Sequence, residues 1–239
     1  MCIRDRYPVL TTPGGIARTP EDLSIFLDSV SGIDDEDHYS YSFEGSFRSI
    51  ETHLNSEIKI GWLSNFVENY TFEKGIIELC EIALNEFASA EKKISIEQCN
   101  IKIDPDKLWE VWCNLRSKIT FDDLSSMRIQ NFEELGFPVK WEYEQGEKIK
   151  EADISNAIDH YLKDRSYVDS LFDKYDFLAL PSAQLFPFDK EIDFPKNIQE
   201  TQMDTYHRWM EVTVFALSLI HISEPTRPER ISYAVFCLK

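Results

Sequence analysis

The side chains of this sequence that could carry chemistry are a few serines, histidines, cysteines and clustered acids, and most sit in settings that argue for structural roles. Ser182 follows a short apolar run ending in Pro181, a strand-to-loop handover where catalytic residues often stand. No suitably placed base follows it. Ser125-Ser126 lies among Asp, Leu and Met, not in a glycine-rich anion nest, and reads as a helix cap. His160 and His207 fall in amphipathic stretches, and His38 and His53 in a polar one; none has a partner at metal-ligand spacing, so each reads as a surface or satisfied core histidine. Asp34, Asp35, Glu36 and Asp37 could meet a divalent cation, but consecutive carboxylates cannot all face one ion, which favours a solvated loop. Cys80, Cys99 and Cys113 are 19 and 14 positions apart, which suits neither metal ligation nor a disulfide framework, so they read as small buried hydrophobes. G-x-S-x-G, P-loop, G-x-G-x-x-G and H-E-x-x-H motifs are all missing. The residues alone therefore nominate no catalytic set and no metal ligands.

With 239 residues, 43% of them hydrophobic, the chain is long enough for a sizeable core. Asp and Glu number 43 against 25 Lys and Arg, a net charge of -18 that opposes binding to nucleic acid or an anionic membrane. No run approaches 18 consecutive apolar residues, and Met1–Arg6 has no apolar signal-peptide core, so a cytoplasmic protein is expected.

Thr19-Pro20-Glu21-Asp22 reads as a helix start, with Leu23, Phe26, Leu27 and Val30 on one face and Gly32 as the stop. Residues 34–56 need no regular structure. Ile58–Leu63 and Ile94–Ile103 read as strands, separated by a helix over Glu73–Lys93 and followed by a helix opened by Pro105. Residues 122–135 form a weaker helical stretch that Gly136-Phe137-Pro138 breaks. A long helix over Ile154–Tyr175, with Ile158, Tyr161, Leu162, Val168, Leu171 and Phe172 as its stripe, leads into a buried strand at Phe177–Leu180. Gln184–Asn197 reads as a loop and Thr201–Ala216 as a final helix. The order predicts an α/β fold, a mixed sheet covered by helices, with Ile58–Leu63 and Phe177–Leu180 in one sheet.

The two ends resemble something other than protein-coding sequence. Met1–Asp5 is similar to the translation of a transposon end used in shotgun sequencing libraries. Leu217–Arg227 resembles the same element read on the opposite strand, and Ile231–Leu238 its distal adapter. On that resemblance residues 1–6 and 217–239 are adapter-like and the domain is 7–216, which holds 20 basic and 40 acidic residues. Poor packing is expected for Met1–Arg6 and from Leu219 onward, with Leu217–Ile222 able to prolong the last helix by a turn.

Five patches in order resemble the amidase signature family. Thr12–Leu23 is similar to its G-P-(M/I)-A-R-(T/S)-(V/P)-x-D-L segment, with Gly15 where Pro is usual. Ile58–Trp62, Trp141–Gly146, Leu171–Ser182 and Tyr206–Met210 are similar to later segments. The resemblance implies an incomplete portion of that family's fold and a parent enzyme that hydrolyses a small-molecule amide. The implied machinery is a Lys, a Ser in a cis peptide and a nucleophilic Ser, with neither metal nor organic cofactor. Those three lie upstream of the first patch in the family, so none is expected in this chain, which is then inactive by itself. It also places Trp209, Thr213 and Val214 on the substrate side of the last helix. The alternatives are the glutaminase subunit of a tRNA-dependent amidotransferase and a non-catalytic binding or scaffold homologue.

Overall fold

β-Branched and aromatic residues alternate along Ile58–Trp62, which forms β1, the middle strand of a three-stranded sheet. The computed structural model describes residues 10, 15, 17–35, 40, 42, 45–49, 57–127 and 132–220. β1 pairs in parallel with β2 (Ile94–Gln98) on one side, Ile58 opposite Ile94, and with β3 (Phe177–Ala179) on the other, Ile60 opposite Phe177. The two runs expected in one sheet are therefore neighbours in it. Antiparallel pairing, among the described residues, is confined to a second, two-stranded sheet of β4 (Asn197–Ile198) and β5 (Thr201–Gln202).

Because side chains alternate along a strand, the sheet buries both faces. Ile60, Trp62, Ile94 and Ala179 point to one cluster, against Ile76 of the helix α3 (Ile76–Ala90). Leu63 and Leu178 join the other, larger cluster, against the helices α4 (Pro105–Ser126) and α6 (Glu151–Leu171). Helix α1 (Pro20–Val30) starts as its sequence indicates: Thr19 accepts from the Asp22 amide at 3.1 Å and Pro20 stands in the first turn. A one-turn helix, α2 (Ser64–Val67), follows β1 and buries Phe66 and Val67.

Several elements depart from expectation. Gly136-Phe137-Pro138 starts a helix, α5 (Phe137–Lys148), because Pro with its fixed φ suits a first turn that has no use for its missing N–H. Residues 122–126 belong to α4, and Phe132–Glu134 form a 3₁₀ turn. Leu162 of α6 is exposed, not part of the buried stripe. The strand after α3 ends at Gln98, and α6 ends at Leu171. Thr201–Ala216 is no single helix: after β5 come 3₁₀ turns over Arg208–Thr213, broken at Met210 (φ -120°, ψ 19°), and a π-helical turn at Ala216–Ile220. Side chains compete there for main-chain carbonyls, Trp209 Nε1 donating to Tyr206 O at 3.0 Å and Thr213 Oγ1 to Met210 O at 2.8 Å.

Met1–Arg6 and residues 221–239 lie outside the described residues. Leu219 does not pack poorly: it is 2% exposed and belongs to the larger core cluster. Among the described residues no helix is long and apolar enough to cross a membrane.

α4 and α5 pack more closely than side chains would allow at one point. A Cβ on Gly146 would lie 2.2 Å from the Ser117 carbonyl oxygen and 2.6 Å from Phe121 Cβ. These are not flexible chain ends, so the helices would have to separate. Gly146→Ala is therefore expected to lose about 2 kcal/mol despite the better helix propensity of Ala. Urea unfolding measures it; equal or greater stability would deny the close approach.

Candidate functional site

The close packing of α4 on α5 sets Glu142 of α5 over Arg116 and Ser117 of α4. Glu142 is 2% exposed, and its carboxylate accepts from Arg116 Nε at 2.7 Å, Ser117 Oγ at 2.5 Å and Tyr206 OH at 2.8 Å. Arg116 Nη2 also donates to the Tyr206 hydroxyl oxygen at 3.3 Å. A buried carboxylate is tolerable only with such donors around it. Burial pushes the Tyr206 hydroxyl up to about 12, and its hydrogen bond to Glu142 pushes the same way, so it keeps its proton and donates.

Tyr206 stacks on His207, ring centroids 4.4 Å apart at 18°. Trp109, Trp112 and Trp141 complete the cage around the imidazole at 4.9, 5.1 and 5.4 Å. His207 is fully buried, its Nδ1 has no hydrogen-bond partner, and its Nε2 is 3.8 Å from Glu142 Oε1. It is thus a core histidine only half satisfied. Burial lowers its pKa to about 4, so the imidazole is neutral at physiological pH. Cys113 Sγ is 3.9 Å from His207 Nε2, but burial raises the thiol to about 12, which removes it as a nucleophile. Next to this cage Arg208 pairs with Glu211, lies 3.4 Å from Asp106 and covers the Trp109 ring at 4.9 Å.

Tyr206 also forms one wall of a cleft of about 670 Å³, shared with Phe137, Pro138, Asp193, Phe194, Lys196, Trp209 and Met210. The first turn of α5 supplies Phe137 and Pro138, the loop before β4 supplies Asp193, Phe194 and Lys196, and the turns after β5 supply the rest. Phe137 and Phe194 are parallel at 6.2 Å, and Tyr206 meets both edge to face at 6.2 and 6.4 Å. Such quadrupole-matched ring sets are rigid apolar surfaces.

Of the residues expected on the substrate side, Trp209 lines the cleft and Phe188 meets its ring edge to face at 5.4 Å. Thr213 is half-buried and bonded to Met210 O, and Val214 is 2% exposed inside the larger core cluster. Neither lines the cleft. His160 is exposed and bonded to Asn156 O at 2.9 Å, Ser182 is half-buried, and Ser125-Ser126 ends α4, with Ser126 Oγ donating to Asp123 O. His38, His53, Glu36 and Asp37 lie outside the described residues. Sequence reasoning does not find Glu142, Tyr206 and Arg116 as a set, although Glu142 and Tyr206 fall inside two of the five patches.

A family model described as Amidase matches residues 3–221. The chain belongs to the amidase family. Its fold is similar to that of a bacterial aryl acylamidase of the amidase signature family, at 20% identity and a TM-score of 0.73 over 86% of this chain and 44% of that one. It is also similar to 6-aminohexanoate cyclic dimer hydrolase (13%, 0.61, over 84% of this chain and 45% of that one). A third similar structure is one subunit of the glutamyl-tRNA(Gln) amidotransferase of Thermotoga maritima (19%, 0.58, over 86% and 43%). No curated protein matches in sequence. This amidase-family chain thus spans less than half the length of these three relatives.

Two buried groups in this amidase-family cluster oppose each other with pH. Burial raises Glu211 to about 7 against the paired Arg208, above its usual 4.5. The folded chain then holds a proton that the unfolded chain has released, so this group's contribution is present below about 4.5 and lost as pH rises through about 7. His207, lowered from 6.5, contributes above about 6.5 and loses that as pH falls toward 4. The stability advantage of Glu211→Gln over the parent chain is therefore expected to grow by about 2–3 kcal/mol between pH 4.5 and 7. Denaturant titrations across that range measure it, and a constant difference would deny the raised carboxyl.

Proposed function

We propose that this chain is the substrate-wall portion of an amidase that hydrolyses the carboxylic amide of a small molecule. The observation that carries the reading is a rigid aromatic cleft containing Trp209 in a chain that belongs to the amidase family. In the reaction a seryl oxygen attacks the amide carbonyl, the amine leaves, and water hydrolyses the acyl-enzyme, with backbone N–H groups holding the oxyanion. The Lys, the cis-peptide Ser and the nucleophilic Ser are not among these 239 residues, which contain no glycine- and serine-rich stretch of the family's kind. The three free thiols among the described residues, all raised by burial, supply no alternative nucleophile. The role of the chain is to bind and orient. Trp209 is the wall residue of the cleft, and Thr213 and Val214 act from behind it by holding the turn and the core on which it rests. Residues 7–216 are the enzyme's own part, and 1–6 and 217–239 are adapter-derived. The parent acts on a small soluble amide in the cytoplasm, without nucleic acid or membrane.

Trp209→Ala in the parent enzyme, once its upstream coding sequence is restored, is expected to raise KM for its amide about tenfold or more, with a smaller change in kcat, because uniform binding is removed. An unchanged KM would separate Trp209 from substrate.

A further inference from the structure

The cleft has a chemistry of its own beyond a generic amide wall. Four rings, Phe137, Phe194, Tyr206 and Trp209, line this one cleft. Parallel Phe137 and Phe194, both met edge to face by Tyr206, are the arrangement that another planar aromatic extends at about 4.5–7 Å centroid spacing. The Tyr206 ring cannot swing aside without breaking its bond to Glu142, so the wall is set before a ligand arrives. Two charged residues line the same cleft, Lys196 and Asp193. Lys196 Nζ lies 3.2 Å over the Phe194 ring, and among the described residues no ion pair is formed by Lys196 or Asp193. One cation and one anion beside an apolar slot do not select a charged ligand of either sign. They match a neutral dipole, whose carbonyl oxygen accepts from an ammonium while its N–H donates to a carboxylate. An amide is that dipole.

Resting on the reading of the chain as an amidase wall, we infer that this cleft selects aromatic amides, an aryl ring among Phe137, Phe194 and Tyr206 with its neutral amide between Lys196 and Asp193. Glu142 is the positioning residue that holds the Tyr206 face.

Binding to the chain itself tests this without any turnover. Benzamide and cyclohexanecarboxamide are near in size and share the amide, but only the first is planar and aromatic. Titration by ligand-observed NMR, with Trp fluorescence as a second readout, is expected to show benzamide binding about tenfold tighter, the value of two edge-to-face contacts. Phe194→Leu should erase that preference while both amides still bind. Lys196→Met should weaken both amides but leave toluene unchanged. Residues 194 and 196 are in a loop, so circular dichroism and urea midpoints identify any variant that has lost its fold. Tyr206→Phe keeps the ring but loses the bond to Glu142, and should reduce the benzamide preference without shifting the contribution of Lys196. Equal binding of the two amides, or no binding of either, would overturn the inference. An aliphatic preference in the cleft together with amide hydrolysis by the parent would overturn it and leave the amidase reading standing.

Discussion

Replacing Glu142 by Ala is expected to cost about 3–5 kcal/mol, the usual result of removing one member of a buried, hydrogen-bonded charge pair. Arg116 then keeps a cation partly inside the protein with its main acceptor gone. Burial already works against that cation, and the bond to Glu142 is what holds its pKa up. Ser117 Oγ, 1% exposed, is left without its acceptor, and Tyr206 loses the acceptor that fixes its ring. Water can enter a cavity of this polarity, so the low end of the range is the result of partial rescue. Glu142→Gln retains a carbonyl acceptor and should lose less than half as much. The Arg116→Met, Glu142→Leu pair should recover much of the loss, since apolar replacement of both partners removes the unpaired charge. Urea midpoints on the three variants measure these differences. A loss under about 1 kcal/mol for the alanine variant would mean that the cluster is solvated and does not order the cleft.

The legible parts of the fold are those where local chemistry and tertiary structure agree. Thr19-Pro20 starts α1 and Asp104-Pro105 starts α4, because a capping oxygen and a Pro in the first turn act within a few residues. Asp104 Oδ1 accepts from the amides of Asp106 and Lys107. Ile58–Trp62 and Phe177–Ala179 are legible as buried strands for the same reason: being largely apolar, they are at home only where both sheet faces are covered.

The illegible parts depend on distant partners. Gly136-Phe137-Pro138 carries the signals of both a break and a start, and the helix that follows suits both the first-turn Pro and the close packing of Gly146 against Ser117. The segment after Gln202 has helical spacing, yet it is folded into 3₁₀ turns by the bond of Tyr206 to Glu142 and by the insertion of His207 between three indoles. Nothing local in Tyr206-His207-Arg208-Trp209-Met210 announces that. Of the three residues expected on the substrate side, Trp209 lines the cleft, and its expected place comes from the order of the patches. The Glu142 cluster joins residues 25 to 90 positions apart, a relation no periodicity carries.

The largest effect expected of this chain is on rate. An amidase that lacks its activated serine and base loses on the order of a million-fold in kcat, and losing the oxyanion donors beside the serine removes more. The apolar side chains left exposed on α1 and α3, among them Val30, Leu79 and Ile82, do not alter that outcome, though they make a monodisperse preparation a necessary control. The decisive measurement is release of amine or ammonia from aryl and aliphatic amides by the purified 239-residue chain, compared with the proposed parent enzyme. The buffer rate is expected for the chain and measurable turnover for the parent. Turnover above buffer by a monodisperse chain free of host amidase would instead place the reacting groups inside these residues.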